Sequence, residues 1–153
     1  MGFWMENPQT YSLTSPPLNI QFPANWQVEK DNQGIAAFSP GNEVFFYCRG
    51  VDHAENMDMI RQKIALYTNI NLTSFTRMNF PEFRDLDTDL TYYIFKGWAN
   101  WGEEIPEEAL NYLLLIGEKN NTYFFAIATG YYMMFNSLEK QIVFVLKQII
   151  QNN

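Results

Sequence analysis

Apolar and polar residues alternate with a period of two along much of the chain, which is the spacing of strands that bury one face. In the first third, this pattern covers residues 10–14, 18–22, 26–29, 35–38 and 44–51, and turn-forming residues separate the segments. Short strands with turns between them are typical of hairpins. The sequence therefore predicts a meander of short antiparallel strands.

Two segments change to the three-and-four spacing of an amphipathic helix. The first is predicted over residues 54–69, where Asp52 followed by Glu55 resembles a capping box. The second is predicted over residues 136–151, where Asn136 is the expected N-cap. Their apolar stripes are Met57, Ile60, Ile64 and Tyr67 in the first, and Phe135, Leu138, Ile142, Val145, Leu146 and Ile149 in the second.

Further strands are predicted between the two helices. Residues 72–83 are irregular, and Pro81 favours a sheet edge or a bulge there. Residues 89–98 have apolar positions on both faces, which indicates a strand covered on both sides. Residues 109–117 and 122–129 are expected to form a hairpin around a short polar turn.

The order of these elements predicts an α+β fold, because strands, a helix, more strands and a helix do not form alternating βαβ units. We expect an antiparallel β-sheet flanked by helices. A length of 153 residues suits a single domain over residues 1–153. Residues 1–9 are expected to be a loosely ordered N-terminal segment.

Charge and composition exclude some classes of partner. The net charge is −7, and no cluster of Lys or Arg offsets it. Nucleic acid is therefore not an expected partner, and an anionic membrane surface is disfavoured. No apolar run is long enough to span a membrane. We find no signal peptide in the sequence, which slightly favours a cytoplasmic location, although a trimmed exported protein would look the same.

No catalytic motif is recognisable, so we expect a non-enzymatic protein without a cofactor or a metal. His53 is the only histidine and precedes the first helix, where it is interpreted as a loop residue. Cys48 lies in a strand pattern and is interpreted as a small buried hydrophobe. The acidic run of Asp85, Asp87 and Asp89 lacks the Gly and Glu of a calcium loop and is interpreted as a solvated turn.

The most informative segment contains Trp98 and Trp101 between Gly97 and Gly102, next to an acidic stretch. Two tryptophans at a glycine-bounded hairpin tip would suit contact with a partner or ligand. The alternative is that the two rings pack back onto the sheet as a lid. The candidate binding residues are Trp98, Trp101, Glu103 and Glu104, and another protein is the expected partner.

Two other functions remain open. A small-molecule-binding protein or a hydrolase would use Glu103, Glu104 and nearby aromatic residues such as Tyr112, and it would need a deep pocket with perturbed carboxylates. The other open possibility is a homodimer. The second helix has apolar residues outside its main stripe, so it needs more than one neighbour, and a second copy of the chain could be one of them. The residues outside the stripe are Val143, Phe144 and Ile150.

The segment that opens with Phe22-Pro23 and ends at Trp26 resembles the Phe-Pro-x-x-Trp motif of the PsbP-like and DcrB-like superfamily. The order of elements from residue 18 to the end is also similar. The resemblance implies an α/β/α sandwich around an antiparallel sheet. It also implies an accessory role, such as an adaptor, an assembly factor or a secretion chaperone, with no catalytic residue to carry over. The resemblance also favours a bacterial source.

Overall fold

The computed structural model describes residues 7–31, 33–52, 56–102 and 110–153. The described chain opens with a separate hairpin of β1, Gln9–Thr14, and β2, Pro17–Phe22. Gln9, the last residue of the segment predicted to be loosely ordered, is the first residue of β1. The side-chain amide of Gln9 donates to the carbonyls of Pro23, Ala24 and Trp26, which ties β1 to the turn after β2.

The main sheet has eight strands, and every pairing is antiparallel, as expected from the sequence. The spatial order is β3, β4, β5, β10, β9, β8 and β6, and β7 also pairs with β8 at the same edge as β6. The strands are β3, Gln27–Lys30; β4, Gly34–Phe38; β5, Val44–Val51; β6, Ile70–Leu72; β7, Thr76–Met78; β8, Thr91–Trp101; β9, Leu110–Lys119; and β10, Thr122–Gly130.

The turn between β9 and β10 explains why the hairpin predicted from residues 109–117 and 122–129 forms. Asn120 and Asn121 both adopt positive φ, at 54° and 63°. A two-residue turn of this kind matches the twist of the flanking strands, and Asn tolerates positive φ better than most residues. The hairpin therefore keeps the register in which Lys119 faces Thr122.

Both helices begin at residues other than those predicted. Helix α1 is Met57–Thr68, and its N-cap is Asn56, whose side chain accepts a hydrogen bond from the Met59 N–H. The predicted cap at Asp52 is therefore wrong. Helix α2 is Tyr132–Gln151, one turn longer at its start than predicted, and Asn136 lies inside it.

The two helices cover opposite faces of the sheet, which gives the expected α/β/α sandwich. Alternate residues of the central strands point to opposite faces. Helix α2 and the β1–β2 hairpin pack on the face that carries Phe46 and Phe124, and α1 packs on the face that carries Phe125. The second neighbour of α2 is thus a part of this same chain, the hairpin.

The Phe-Pro-x-x-Trp segment holds that hairpin to the sheet. The Trp26 N–H donates to the Pro23 carbonyl, which closes the turn. The ring of Phe22 stacks on Trp26 and meets Phe46 of β5 edge-on at 5.1 Å between centroids. The Trp26 indole N–H reaches Gln141 on α2, at 3.4 Å. Both aromatic residues are buried, so the motif here is a packing device.

Candidate functional site

Trp98 and Trp101 lie within strand β8, so the predicted hairpin tip at these positions is wrong. They are three residues apart, and an odd spacing along a strand places their side chains on opposite faces. Trp101 packs edge-on against Phe45, at 5.6 Å between ring centroids, on the face that carries α1. Trp98 lies on the other face and is 45% exposed.

Trp98 belongs to a surface cluster at the start of α2. Its indole stacks on the ring of Tyr132, at 6.3 Å and 14° between planes. The neighbouring residues of the helix are also large, apolar and exposed, and Met133 is the most exposed at 77%. We call this cluster the helix-start patch, which consists of Trp98, Tyr131, Tyr132, Met133 and Met134.

The exposure of the helix-start patch follows from how α2 begins. Strand β10 ends at Gly130, and a single residue, Tyr131, separates it from the helix. The first buried residue of the helix is Phe135, which follows the four exposed positions. Sequence reasoning missed these residues because the apolar periodicity starts at Phe135. The run of four aromatic and Met residues ahead of it was the available signal.

A hollow of about 300 Å³ lies beside Tyr131 and is lined by Phe45, Trp101 and Glu43, among others. Tyr131 thus connects the helix-start patch to the place where Trp101 packs. The two tryptophans that the sequence singled out therefore lie on opposite faces of the sheet rather than together at a tip.

Buried polar groups lie close to the helix-start patch. Asn111 in β9 is only 7% exposed, and the Nδ2 of its side chain has no hydrogen-bond partner within the described ranges. Asn111 faces Trp98 on one neighbouring strand and Gly130 on the other. Asn100, two positions after Trp98, has a buried Oδ1 that also lacks a partner there.

Among the residues that the structure describes, an ion pair and Glu43 lie near this end of the sheet. The ammonium of Lys96 is 3.0 Å from a carboxylate oxygen of Glu139 on α2, so this pair is mutually neutralised. Glu43 lines the hollow beside Tyr131. The first turn of α2 has no acidic residue. The described part of the site is therefore an apolar surface with two buried amides beside it, an arrangement that suits contact with a partner.

Several predicted candidates lie elsewhere or cannot be placed. His53, Glu103 and Glu104 lie outside the described residues. Cys48 is fully buried, and burial raises the pKa of its thiol well above its usual value, which agrees with a structural role. The side chains of Asp85, Asp87 and Asp89 are exposed, as expected for a solvated turn.

Tyr112, the aromatic residue considered for a small-molecule site, is fully buried beneath α1. Its hydroxyl donates to the Ser74 carbonyl at 2.6 Å, and burial raises the pKa of the phenol to about 12. A phenol held in this way is unavailable to a ligand. The residue is a packing and anchoring group for the connection between β6 and β7.

An open cleft of about 590 Å³ runs along the sheet edge where β7 ends, and its lining includes Arg77, Arg84 and Tyr93. The guanidinium of Arg77 lies over the Tyr93 ring at 4.5 Å. Within the described ranges, no group of three or more His, Cys, Asp or Glu side chains is placed to hold a metal ion.

Together, the antiparallel sheet and the two helices on opposite faces define an α+β sandwich. Comparison with solved structures places it more narrowly, in the PsbP-like fold. The solution structure of cyanobacterial PsbP (CyanoP) from Synechocystis sp. PCC 6803 aligns with a TM-score of 0.58. That alignment covers 95% of this chain and 93% of CyanoP, at 8% sequence identity.

A crystal structure of a Pseudomonas aeruginosa protein of unknown function also aligns, with 10% identity, coverage of 95% and 97%, and a TM-score of 0.44. No family model matches the sequence. No curated protein matches it either. The resemblance noted in the sequence is thus confirmed as a similarity of fold, which by itself assigns no activity.

Neither α1 nor α2 is long and apolar enough to cross a membrane.

Proposed function

We propose that this protein is a non-enzymatic accessory protein that binds another protein through the helix-start patch. The observation that carries the proposal is the contiguous exposure of Trp98, the N-cap residue of α2 and the first three residues of that helix. Exposed apolar side chains that occur singly need no explanation, whereas a contiguous group marks an interaction surface. The PsbP-like fold agrees with an accessory role and supplies no partner.

The composition of the patch supports a protein partner. Aromatic residues and Met are enriched at protein interfaces, while Lys, Glu and Asp are depleted there. Tyr and Trp bury much area at low entropic cost, and Met adapts its shape to a partner. Trp98 and Tyr132 already stack on each other, so a partner would meet a preorganised aromatic surface.

The test compares two variants that introduce the same charge at equally exposed positions. Met133 in the patch is 77% exposed, and Leu66 on α1 is 73% exposed. Met133→Glu places a carboxylate in the proposed interface, where a partner would have to desolvate it. Leu66→Glu makes the same change on the other face of the sheet and is the matched control.

Tagged wild-type protein and both variants would be purified from native cells, and co-purifying proteins would be quantified by mass spectrometry. We expect Met133→Glu to lose a stoichiometric partner by at least about tenfold, as for a central interface residue, and Leu66→Glu to retain it. Thermal unfolding should show that both variants are folded. Equal recovery of the partner by both variants would contradict the proposal.

The alternative of a small-molecule-binding protein or hydrolase has less support. It requires an enclosed pocket with perturbed carboxylates. The hollow at Tyr131 and the cleft at Arg77 are both open to solvent. The Tyr112 hydroxyl is buried and already donates to the Ser74 carbonyl. A homodimer remains a separate proposal, and light scattering of the wild type tests it directly.

A further inference from the structure

The hollow beside Tyr131, of about 300 Å³, has aromatic walls. Three aromatic residues line it: Phe45 of β5, Trp101 at the end of β8, and Tyr131 between β10 and α2. Trp101 meets Phe45 edge-on, with 5.6 Å between ring centroids and 88° between planes, so these two walls stand at a right angle. Tyr131 is 50% exposed. The hollow is therefore an open aromatic corner, and filling it leaves the stack of Trp98 on Tyr132 in place.

A carboxylate stands beside these rings. Glu43, which precedes β5, is the one charged residue among the described residues that line the hollow. The single ion pair within the described ranges joins Lys96 to Glu139, so Glu43 has no cationic partner there. The face of an aromatic ring carries partial negative charge, which adds to the potential of the carboxylate. The hollow therefore favours a cation.

The charge of the surrounding chain has the same sign. The net charge of the protein is −7. The connection from β8 to β9 leaves after Gly102 and returns at Leu110, which also lines the hollow. The sequence of that connection contains four glutamates and no Lys or Arg. Long-range attraction therefore acts on a cation in the same direction as contact with Glu43.

From these observations we infer that the hollow beside Tyr131 binds an arginine side chain of the partner protein, and that apolar residues next to this arginine contact the helix-start patch. The guanidinium packs on the aromatic walls and donates to the Glu43 carboxylate. Tyr131 belongs to both the hollow and the patch, so one extended segment of the partner can occupy them together. This inference rests on the proposed function and specifies the partner's chemistry.

Arginine suits this hollow better than lysine. Its planar guanidinium stacks on aromatic rings and pairs with a carboxylate through two parallel hydrogen bonds. It is also more weakly hydrated than an ammonium group, so it loses less solvation on entering a hollow with apolar walls. Arginine is enriched at protein interfaces, whereas lysine is depleted there. An open hollow favours a side chain that reaches in from a bound chain, because a free small molecule is usually held in a more enclosed pocket.

The experiment is an NMR titration of the ¹⁵N-labelled full chain with two peptides that differ by one charge. One is N-acetyl-Phe-Gly-Arg-Gly-Phe carboxamide, and the other has citrulline, a neutral isostere, in place of arginine. We expect the arginine peptide to shift the Trp101 indole N–H and the Tyr131 backbone N–H signals. Its Kd should be about fivefold lower than that of the citrulline peptide, since an exposed cation–π contact and an exposed ion pair are each modest. This difference should shrink as NaCl is added.

A pair of variants separates the carboxylate from the apolar surface. Glu43→Gln removes the charge of the hollow and keeps the shape of the side chain. Glu29→Gln makes the same change at an exposed position of β3, at the opposite edge of the sheet from β6, and is the matched control. The fivefold preference for arginine should fall to about twofold in Glu43→Gln and persist in Glu29→Gln. An undiminished preference in Glu43→Gln would overturn the pairing of the guanidinium with Glu43.

Three results with the wild type would overturn the inference as a whole. Equal affinity for the arginine and citrulline peptides would leave apolar docking, and hence the proposed function, standing without the cation. Equal affinity for N-acetyl-arginine amide and the arginine peptide would indicate a site for a free small cation. Absence of shifts at Trp101 and Tyr131 up to millimolar peptide would also overturn it, while the comparison of Met133→Glu with Leu66→Glu would still test the proposed function.

Discussion

Replacing Tyr112 by Phe removes one buried hydroxyl and so tests a single hydrogen bond in the core. The ring stays buried, while the hydroxyl that donates to the Ser74 carbonyl at 2.6 Å is lost. A neutral hydrogen bond of this kind contributes about 1 kcal/mol to stability. At pH 7 the free energy of unfolding of the variant should therefore be about 1 kcal/mol lower than that of the wild type.

The same substitution has an opposite effect at high pH. Burial raises the pKa of the Tyr112 phenol from 10.0 to about 12 in the folded protein. Because the folded pKa is raised, the stabilisation is fully present below pH 10 and is lost as the pH rises through 12. At pH 11 the unfolded phenol ionises and the folded one does not, which lowers wild-type stability by about 1.4 kcal/mol. Phe cannot ionise, so the variant escapes this loss.

Urea unfolding of both proteins at pH 7 and pH 11 measures this difference. The gap should change by about 1.4 kcal/mol between pH 7 and pH 11, so that the variant becomes the more stable protein at pH 11 by about 0.4 kcal/mol. The shifted pKa values of Tyr47, Tyr92 and Tyr123 affect both proteins alike and cancel in the comparison. An equal gap at both pH values would refute the assignment of a desolvated phenol. Tyr131→Phe, at a half-exposed ring, is the control and should change stability little at pH 7.

Two further predictions concern the core. Gly117→Ala should destabilise the protein by about 1–3 kcal/mol, because the new Cβ would collide with the Phe124 ring across the hairpin, and a urea titration that shows no loss would contradict this close contact. Cys48 should react with a thiol reagent only at the rate of unfolding, because it is fully buried and its thiol pKa is raised; rapid labelling of the native protein would show that β5 is accessible.

The helices show how far local patterns could be used. The apolar stripe of α2 predicted its buried face correctly from Phe135 onward. Its first turn was missed because an N-cap is usually polar, and the chain here has Tyr131 instead. The predicted cap of α1 failed for a related reason, since Asn56 lies closer to the helix and accepts from Met59. Cap residues are common in loops, so their presence alone does not mark a helix end.

The candidate site shows a different limit. The sequence drew attention to Trp98 and Trp101 because they are close along the chain, and it treated them as a pair. Strand β8 continues through both residues, and the two-residue period separates them onto opposite faces. In the folded protein the Trp98 ring stacks on the ring of Tyr132, which is distant in sequence. The pairing across β8, β9 and β10 also placed Asn111 between Trp98 and Gly130, which no local pattern indicates.

The sequence by itself determined the periods of the strands and helices, most of the turns and the class of fold. These properties depend on neighbouring residues, such as the two asparagines between β9 and β10 or the alternation in β5. Only the tertiary structure decided which face α2 covers, how the β1–β2 hairpin supplies its second neighbour, and which apolar residues remain exposed. Burial depends on segments that are distant in sequence, so Met133 and Phe135, two positions apart on one helix, have opposite environments.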